Sequence, residues 1–173
     1  MQILDLWQDL GETQHTNQNI DKSLCSVKFN HAGLKYEIVM NLLRSKCMSV
    51  VGPFPAGEHD MNVFRSCTKA KMLQMPGKML IADSIYLPGK QADQRDEVGM
   101  FAIPNSMDVT VLKRFKSRAR ARHESFNGRL KFFAFLRETY RGVDFYKHGL
   151  AFNAICVIVQ TQMDNGSPIF ATN

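Results

Sequence analysis

Two carboxylates, Asp83 and Glu124, stand where a folded domain could use them to hold a hard cation. Asp83 closes the apolar stretch Lys78-Met79-Leu80-Ile81-Ala82-Asp83, which reads as a strand with the acid at its C-terminal end, the end where α/β folds commonly carry chemistry. Glu124 follows Arg118-Ala119-Arg120-Ala121-Arg122-His123 on a predicted helix. Carboxylate oxygens suit Mg²⁺ or Mn²⁺, and such an ion beside arginines could act on a phosphodiester. The plainer reading of Glu124 is an ion pair with Arg120 or Arg122, and both readings stay open on spacing alone. His123 is read as facing solvent rather than contacting phosphate.

The charge is concentrated around Glu124. Of 22 basic residues, ten lie between Lys113 and Arg141, opposed only by Glu124 and Glu138, so this stretch carries +8 and the rest of the chain −2. The run Arg118-Ala119-Arg120-Ala121-Arg122 holds no balancing acid–base pairs within itself, and phosphate would relieve its self-repulsion. A solvated helix face is the bland alternative. The whole chain, 173 residues with net charge +6 and pI about 9.3, favours a polyanionic partner without proving one.

Elements must position these groups. The length suits one domain with a real core. Ile3-Leu4-Asp5-Leu6-Trp7 reads as a short strand, Gly11 to Ser23 as a polar loop, and Leu34 to Met40 and Cys47 to Val51 as further strands. Glu37, on a presumed central strand, reads as a buried, paired carboxylate rather than a ligand. Gly52-Pro53-Phe54-Pro55-Ala56-Gly57 reads as a turn. Asp60 then reads as the N-cap of a helix with Val63, Phe64, Cys67, Ala70 and Met72 inside, ended by Pro76-Gly77. Its competing role is a metal ligand. A charged loop spans Leu87 to Gly99, and Phe101-Ala102-Ile103-Pro104 is a short extended piece. Val109 to Tyr140 is helical, in two pieces, with Phe126, Leu130, Phe133 and Arg137 at helical spacing beside Leu136. Gly149 to Gln162 reads as a buried helix. The order predicts an α/β domain with a mixed sheet.

Cys25, Cys47, Cys67 and Cys156 are too scattered for a zinc knuckle or a redox pair and read as buried thiols in a reducing compartment. Met1 to Leu10 lacks the pattern of a signal peptide, and the longest apolar run, near Gly149 to Val159, is short of the roughly 20 residues a bilayer span needs. A soluble, intracellular protein without a membrane partner is expected. Trp7 and the ten methionines read as core filler.

The stretch from Arg118 through Ser125-Phe126-Asn127-Gly128-Arg129-Leu130-Lys131 resembles the signature helix of Harbinger-like DDE transposases, where an arginine-rich approach leads to the catalytic Glu. Ala82-Asp83-Ser84-Ile85-Tyr86 is similar to the family's Ala-Asp-x-x-Tyr strand end. Residues 52–65 resemble its Gly-Pro-x-Pro-Gly turn and Asp-x-x-x-Phe helix, and Ser26-Val27-Lys28-Phe29-Asn30 with Tyr36-Glu37 its Ser-x-Lys-x-x and Tyr-Glu pattern. The likeness runs in order over about residues 26 to 160. It departs at the front: the family's first catalytic Asp sits in an Asp-Gly pair, and this chain has none. Asp5 is the best substitute and Asp9 the second.

The resemblance implies a ribonuclease H-like mixed sheet flanked by helices, with a truncated or divergent first strand. It implies one DDE transposase-like nuclease domain over residues 1–165, its N-terminal 25 residues poorly matched, and an exposed tail at 166–173. Asp83, Glu124 and Asp5 become catalytic metal ligands, with Asp60 and Asp9 as alternatives. They would hold two Mg²⁺ or Mn²⁺ ions about 3.5–4 Å apart for metal-dependent phosphoryl transfer on DNA. Arg118, Arg120, Arg122, Arg129 and Lys131 become DNA-phosphate contacts. Ala121 and Gly128 would keep the face of Glu124 low, unless Gly128 serves ordinary helix–sheet packing. DNA is the expected partner, with a homo-oligomer and a separate DNA-reading protein left open, and the nucleus, alongside the cytoplasm, is the expected location. The alternative function is a catalytically inactive, domesticated remnant that binds DNA or a protein. An unrelated basic nucleic-acid-binding module is the third reading, opposed by the ordered upstream matches.

Overall fold

The computed structural model describes residues 2–9, 22–26, 31–41, 43–82, 100–101, 107–142 and 144–169. Most of the predicted loop at Gly11 to Ser23, the loop at Leu87 to Gly99 and Asp83 itself lie outside these residues.

Among the described residues four strands form the sheet: β1 (Gln2–Asp9), β2 (Cys25–Ser26), β3 (His31–Asn41) and β4 (Lys46–Pro55). All pair antiparallel with β3. β1 runs in continuous register, Ile3 opposite Val39 and Asp5 opposite Glu37. β4 pairs from Asn41↔Lys46 to Leu34↔Pro55, with register shifts between Lys35 and Glu37 and between Val39 and Met40. β2 takes up the start of β3 at His31 and Ala32.

Residues 52–55 do not turn, as the breakers had predicted, but continue β4. A bulge absorbs them: Tyr36 faces the irregular stretch between Val51 and Phe54. Gly52 has φ +139°, and a Cβ there would lie 2.7 Å from the Tyr36 ring and 2.9 Å from the Lys35 carbonyl, so only glycine lets β4 pass. The Gly52-Pro53 peptide is cis. The turn proper follows at Ala56–Gly57, where Gly57 N donates to Ser23 O at 2.9 Å.

The next helix opens at Asp60 as α1 (Asp60–Val63), passes through a π-helical turn (Phe64–Thr68) and ends as α2 (Lys69–Leu73). His59, not Asp60, is the cap: its Nδ1 accepts from Met61 N at 3.2 Å. The π turn shifts the helical phase, so Met61, Val63, Phe64, Thr68 and Met72 are buried while the expected Ala70 is exposed and Cys67 half-buried. Leu80 then forms a parallel bridge to Phe101, and Leu80, Ile81 and Ala82 are buried.

The basic segment is one long helix, α3 (Thr110–Lys131), then a short α4 (Ala134–Arg137). α3 buries Lys116, Ala119, His123, Phe126 and Leu130, a stripe at helical spacing. The stripe does not reach Arg137, because α3 ends at Lys131 and α4 restarts the phase, burying Leu136. α5 (Phe145–Asp164) is capped by Asp144. It is half-buried rather than buried throughout: Phe152, Ile155, Cys156 and Val159 face inward, while Leu150, Val157 and Ile158 are exposed. Gln160 ties α5 to β4, accepting from Cys47 N at 2.7 Å.

β3 divides the core. Leu34, Tyr36, Ile38 and Met40 pack with Phe126, Leu130, Leu136, Phe152, Ile155 and Val159 of the helices α3 to α5. Val39 packs with Met61, Phe64, Met72, Leu80 and Ala82. These are the two faces of one strand. Among the described residues no helix is long and apolar enough to cross a membrane. All four cysteines are free, and burial pushes the Cys47 thiol up to about 11 and the Cys156 thiol up to about 12, which keeps them protonated.

Candidate metal centre and nucleic-acid interface

The odd-numbered face of β3 carries an unusual set of polar groups for a sheet interior. Glu37 is 0% exposed. Its Oε1 accepts from the Thr68 hydroxyl, which the π turn presents to the sheet, and its Oε2 has no hydrogen-bond partner among the described residues. Burial raises the Glu37 pKa, offset by the Thr68 bond and the Lys71 charge. Lys35, two residues away on the same face, binds Asp60 at 2.5 Å and the Glu58 carbonyl at 2.6 Å. Lys71 donates to Ser49 Oγ at 2.9 Å. Both nearby ammonium groups are thus bonded to groups other than Glu37.

α3 lies on the other face. His123, expected in solvent, is 0% exposed because it falls on the buried stripe one residue before Glu124. Its Nε2 lies 3.2 Å from the Ile38 carbonyl; a carbonyl only accepts, so Nε2 carries the proton. Burial lowers the His123 pKa to about 4, leaving it neutral. Lys116 is the buried member of the basic run and pairs with Asp108 at 2.8 Å, anchoring the start of α3. Arg118 and Arg120 are exposed and Arg122 is half-buried, and burial together with the Arg118 charge lowers the Arg122 pKa.

Glu124 is exposed and forms neither of the predicted ion pairs with Arg120 and Arg122 among the described residues. Ala121, Ser125 and Gly128 surround it and are exposed too. A Cβ on Gly128 would meet nothing within 4 Å, so this glycine does not serve helix–sheet packing. It lines an open cavity of about 540 Å³ with Ser125, Arg129, Phe132, Phe133, Gln162 and Ser167. Arg129 binds the chain's own carbonyls, Ser167 O at 2.5 Å and Pro168 O at 3.3 Å. Lys131 is exposed at the end of α3.

Asp5 and Asp9 are placed by backbone register, opposite Glu37 and Gly33. Asp83 lies outside the described residues, next to Ala82, which packs with Val39 and Met61. The structure therefore brings the Asp5 position to Glu37 and leaves Glu124 on the helix over the opposite face. Asp60 is held by Lys35. Among the described residues no three His, Cys, Asp or Glu side chains cluster as a metal site. Sequence reasoning placed Glu37 as a buried, paired carboxylate; it did not see the free Oε2 or the partner. Thr68 carried no signal, because a π turn cannot be read from spacing.

Fold and charge together define a mixed α/β domain with a concentrated basic helix. The chain matches the model of the DDE superfamily endonuclease family over residues 12–160, and it belongs to that family. The matched span takes in Asp60, Asp83 and Glu124 and begins after Asp5 and Asp9. No curated protein and no solved structure matches.

Proposed function

We propose that this chain is a divalent-metal-dependent DNA endonuclease of the transposase type, with Asp83, Glu124 and Asp5 as its metal-holding carboxylates and the nucleus as its place of action. The observation that carries the reading is Glu124: an exposed acid that forms no ion pair among the described residues, on a helix crowded with arginines and among small residues that leave its surface open. An acid kept for structure would be expected to take one of the arginines beside it. The antiparallel β1–β3–β4 arrangement, followed by a helix and a parallel bridge, supports a ribonuclease H-like sheet.

The donor set fits a hard cation: it is all carboxylate oxygen, with the Cys47 and Cys156 thiols held protonated by burial. Bound divalent ions supply charge neutralisation at the reacting phosphate and activate a water or a 3′-hydroxyl. The chain's own residues do the rest. Arg118, Arg120, Arg122 and Lys131 hold backbone phosphates along α3. Ala121, Ser125 and Gly128 let the duplex approach Glu124. The buried Leu80-Ile81-Ala82 segment fixes the backbone that leads into Asp83.

Cleavage of supercoiled plasmid by purified protein, in Mg²⁺ and in Mn²⁺, tests this. Nicking that requires the metal and is lost in Asp83→Ala and Glu124→Ala is the expected result, with Asp5→Ala testing the third carboxylate. Retention of DNA at low salt with no cleavage in either metal would overturn the enzymatic reading in favour of an inactive DNA-binding remnant.

A further inference from the structure

We infer that the outward face of α5 is a dimer interface, on which a second copy of this chain packs its own α5 antiparallel. α5 buries Phe152, Ile155, Cys156 and Val159 in the core. The side turned away from that core, where a surface helix is ordinarily polar, is apolar along its middle turns. Val157 is 65% exposed and Leu150 53%, with Tyr146 and Ile158 exposed beside them. Lys147, Leu150, Ala154, Val157, Thr161 and Asp164 follow one another at alternating intervals of three and four, and all six are exposed. That is the a/d spacing of a coiled-coil seam. A seam turned to the core would already have its partner; this one faces solvent along a helix of 20 residues, about 30 Å long.

Charge selects the occupant and its direction. The 16 residues between Lys147 and Asp164 include no Asp, Glu, Lys or Arg. Each copy carries +6 overall, so two copies repel unless they meet through an uncharged surface, and this helix supplies one. The seam also begins with a cation and ends with an anion. Turned antiparallel about a two-fold axis, its first position meets the last of the second copy, its second the fifth and its third the fourth. Lys147 then faces Asp164 at both ends, Leu150 faces Thr161, and the small Ala154 faces Val157 at the centre, where the helices approach closely. A parallel pair would instead set Lys147 on Lys147 and Asp164 on Asp164. Lys147 meets Asp144 of its own chain at 3.2 Å and Asp164 accepts from Gln160 at 2.8 Å. An ammonium has three donors and a carboxylate about four acceptor sites, so both keep capacity for the second copy. One helix pair, about 30 Å by 10 Å, covers less than the roughly 1,600 Å² of a standard stable interface, which sets the expected association in the micromolar range.

The inference does not rest on the metal-dependent reading, and its test needs neither metal nor DNA. Sedimentation equilibrium of the full chain at low salt should show a mass rising from 19.7 kDa toward twice that value as the concentration passes through the micromolar range. Val157→Lys, at an exposed position, should leave thermal unfolding close to wild type. It sets two like charges at the centre of the seam and should weaken association by about 100-fold or more. Should it fail to fold, Leu150→Lys on the same seam takes its place. Lys147→Asp and Asp164→Lys should each weaken association by about tenfold or less, and the two exchanged in one chain should restore it. A chain that stays monomeric throughout overturns the inference and leaves the face to another occupant. A dimer that survives Val157→Lys, folded, overturns it too, as does one that the charge exchange fails to restore.

Discussion

The two faces of β3 are built on different principles. On the even face, Leu34, Tyr36, Ile38 and Met40 meet an apolar wall from α3, α4 and α5. Its polar groups are mostly matched inward: Tyr36 Oη lies 2.5 Å from His148 Nδ1 and His123 Nε2 meets the Ile38 carbonyl, while His123 Nδ1 has no hydrogen-bond partner among the described residues. On the odd face, Lys35, Glu37 and Val39 meet a helix that supplies Thr68 and Asp60 along with Met61 and Phe64, and there a carboxylate oxygen is left over. A strand that only had to be buried would carry apolar residues on both sides. Here one side stabilises the domain and the other retains charge at some energetic cost, as functional sites do.

The largest effect should therefore fall on the even face. The Phe152 ring stacks on Tyr36 with centroids 3.7 Å apart and planes 6° from parallel. Phe152→Ala removes that contact and opens a cavity, and should cost about 3–5 kcal/mol in chemical denaturation. Glu37→Gln, equally buried, should cost less than about 1 kcal/mol in the absence of metal, because it removes a buried ionisable group and keeps a partner for Thr68. If Glu37→Gln destabilises as much as Phe152→Ala, the two faces are not different in kind.

A second effect is pH-dependent and comes from the two buried histidines of the even face. His123 and His148 have pKa values lowered by burial to about 4, against about 6.5 for an unfolded histidine. The unfolded chain therefore binds the proton first as pH falls. Stability should be full above about pH 6.5 and decline toward pH 4, by about 3 kcal/mol for His123. His123→Gln, which can still donate to Ile38, should flatten part of that decline in urea titrations across the range. An unchanged acid limb would show that His123 does not titrate with unfolding.

Much of this division was legible in the residues, and the reasons for the exceptions are physical. Alternation in Leu34 to Met40 placed the strand and Glu37 inside it, because period-two burial is a local property. The helical span of the basic run was equally plain, since Thr110 to Lys131 contains no proline. The burial of His123 was missed because the phase of α3 is set by Ala119, Phe126 and Leu130 together, and charge on both sides masked it. The turn predicted at Gly52 to Gly57 failed because a bulge opposite Tyr36 can hold a Gly-Pro pair within a strand. The pairing of Asp5 with Glu37 was out of reach of any local pattern: it depends on the register between strands separated by more than twenty residues.

The smallest expected effects lie along α3, at the boundary between the even-face core and solvent, and they sharpen which basic residues belong to which side. Arg118 and Arg120 are exposed and should each bind a phosphate, so Arg118→Ala or Arg120→Ala should reduce the salt slope of DNA binding by about 0.9, with little change in stability. Arg129 differs although it lies on the same helix: its guanidinium holds the Ser167 and Pro168 carbonyls, beside Ile169, which packs against the even-face core. Arg129→Ala should therefore leave the salt slope nearly unchanged and instead loosen the C-terminal segment, with a loss of about 1 kcal/mol or less. The measurement is DNA affinity by fluorescence anisotropy over a range of salt, paired with denaturation of each variant. A full loss of slope in Arg129→Ala would mean that DNA displaces the C-terminal carbonyls and that the cavity beside Gly128 is part of the nucleic-acid surface.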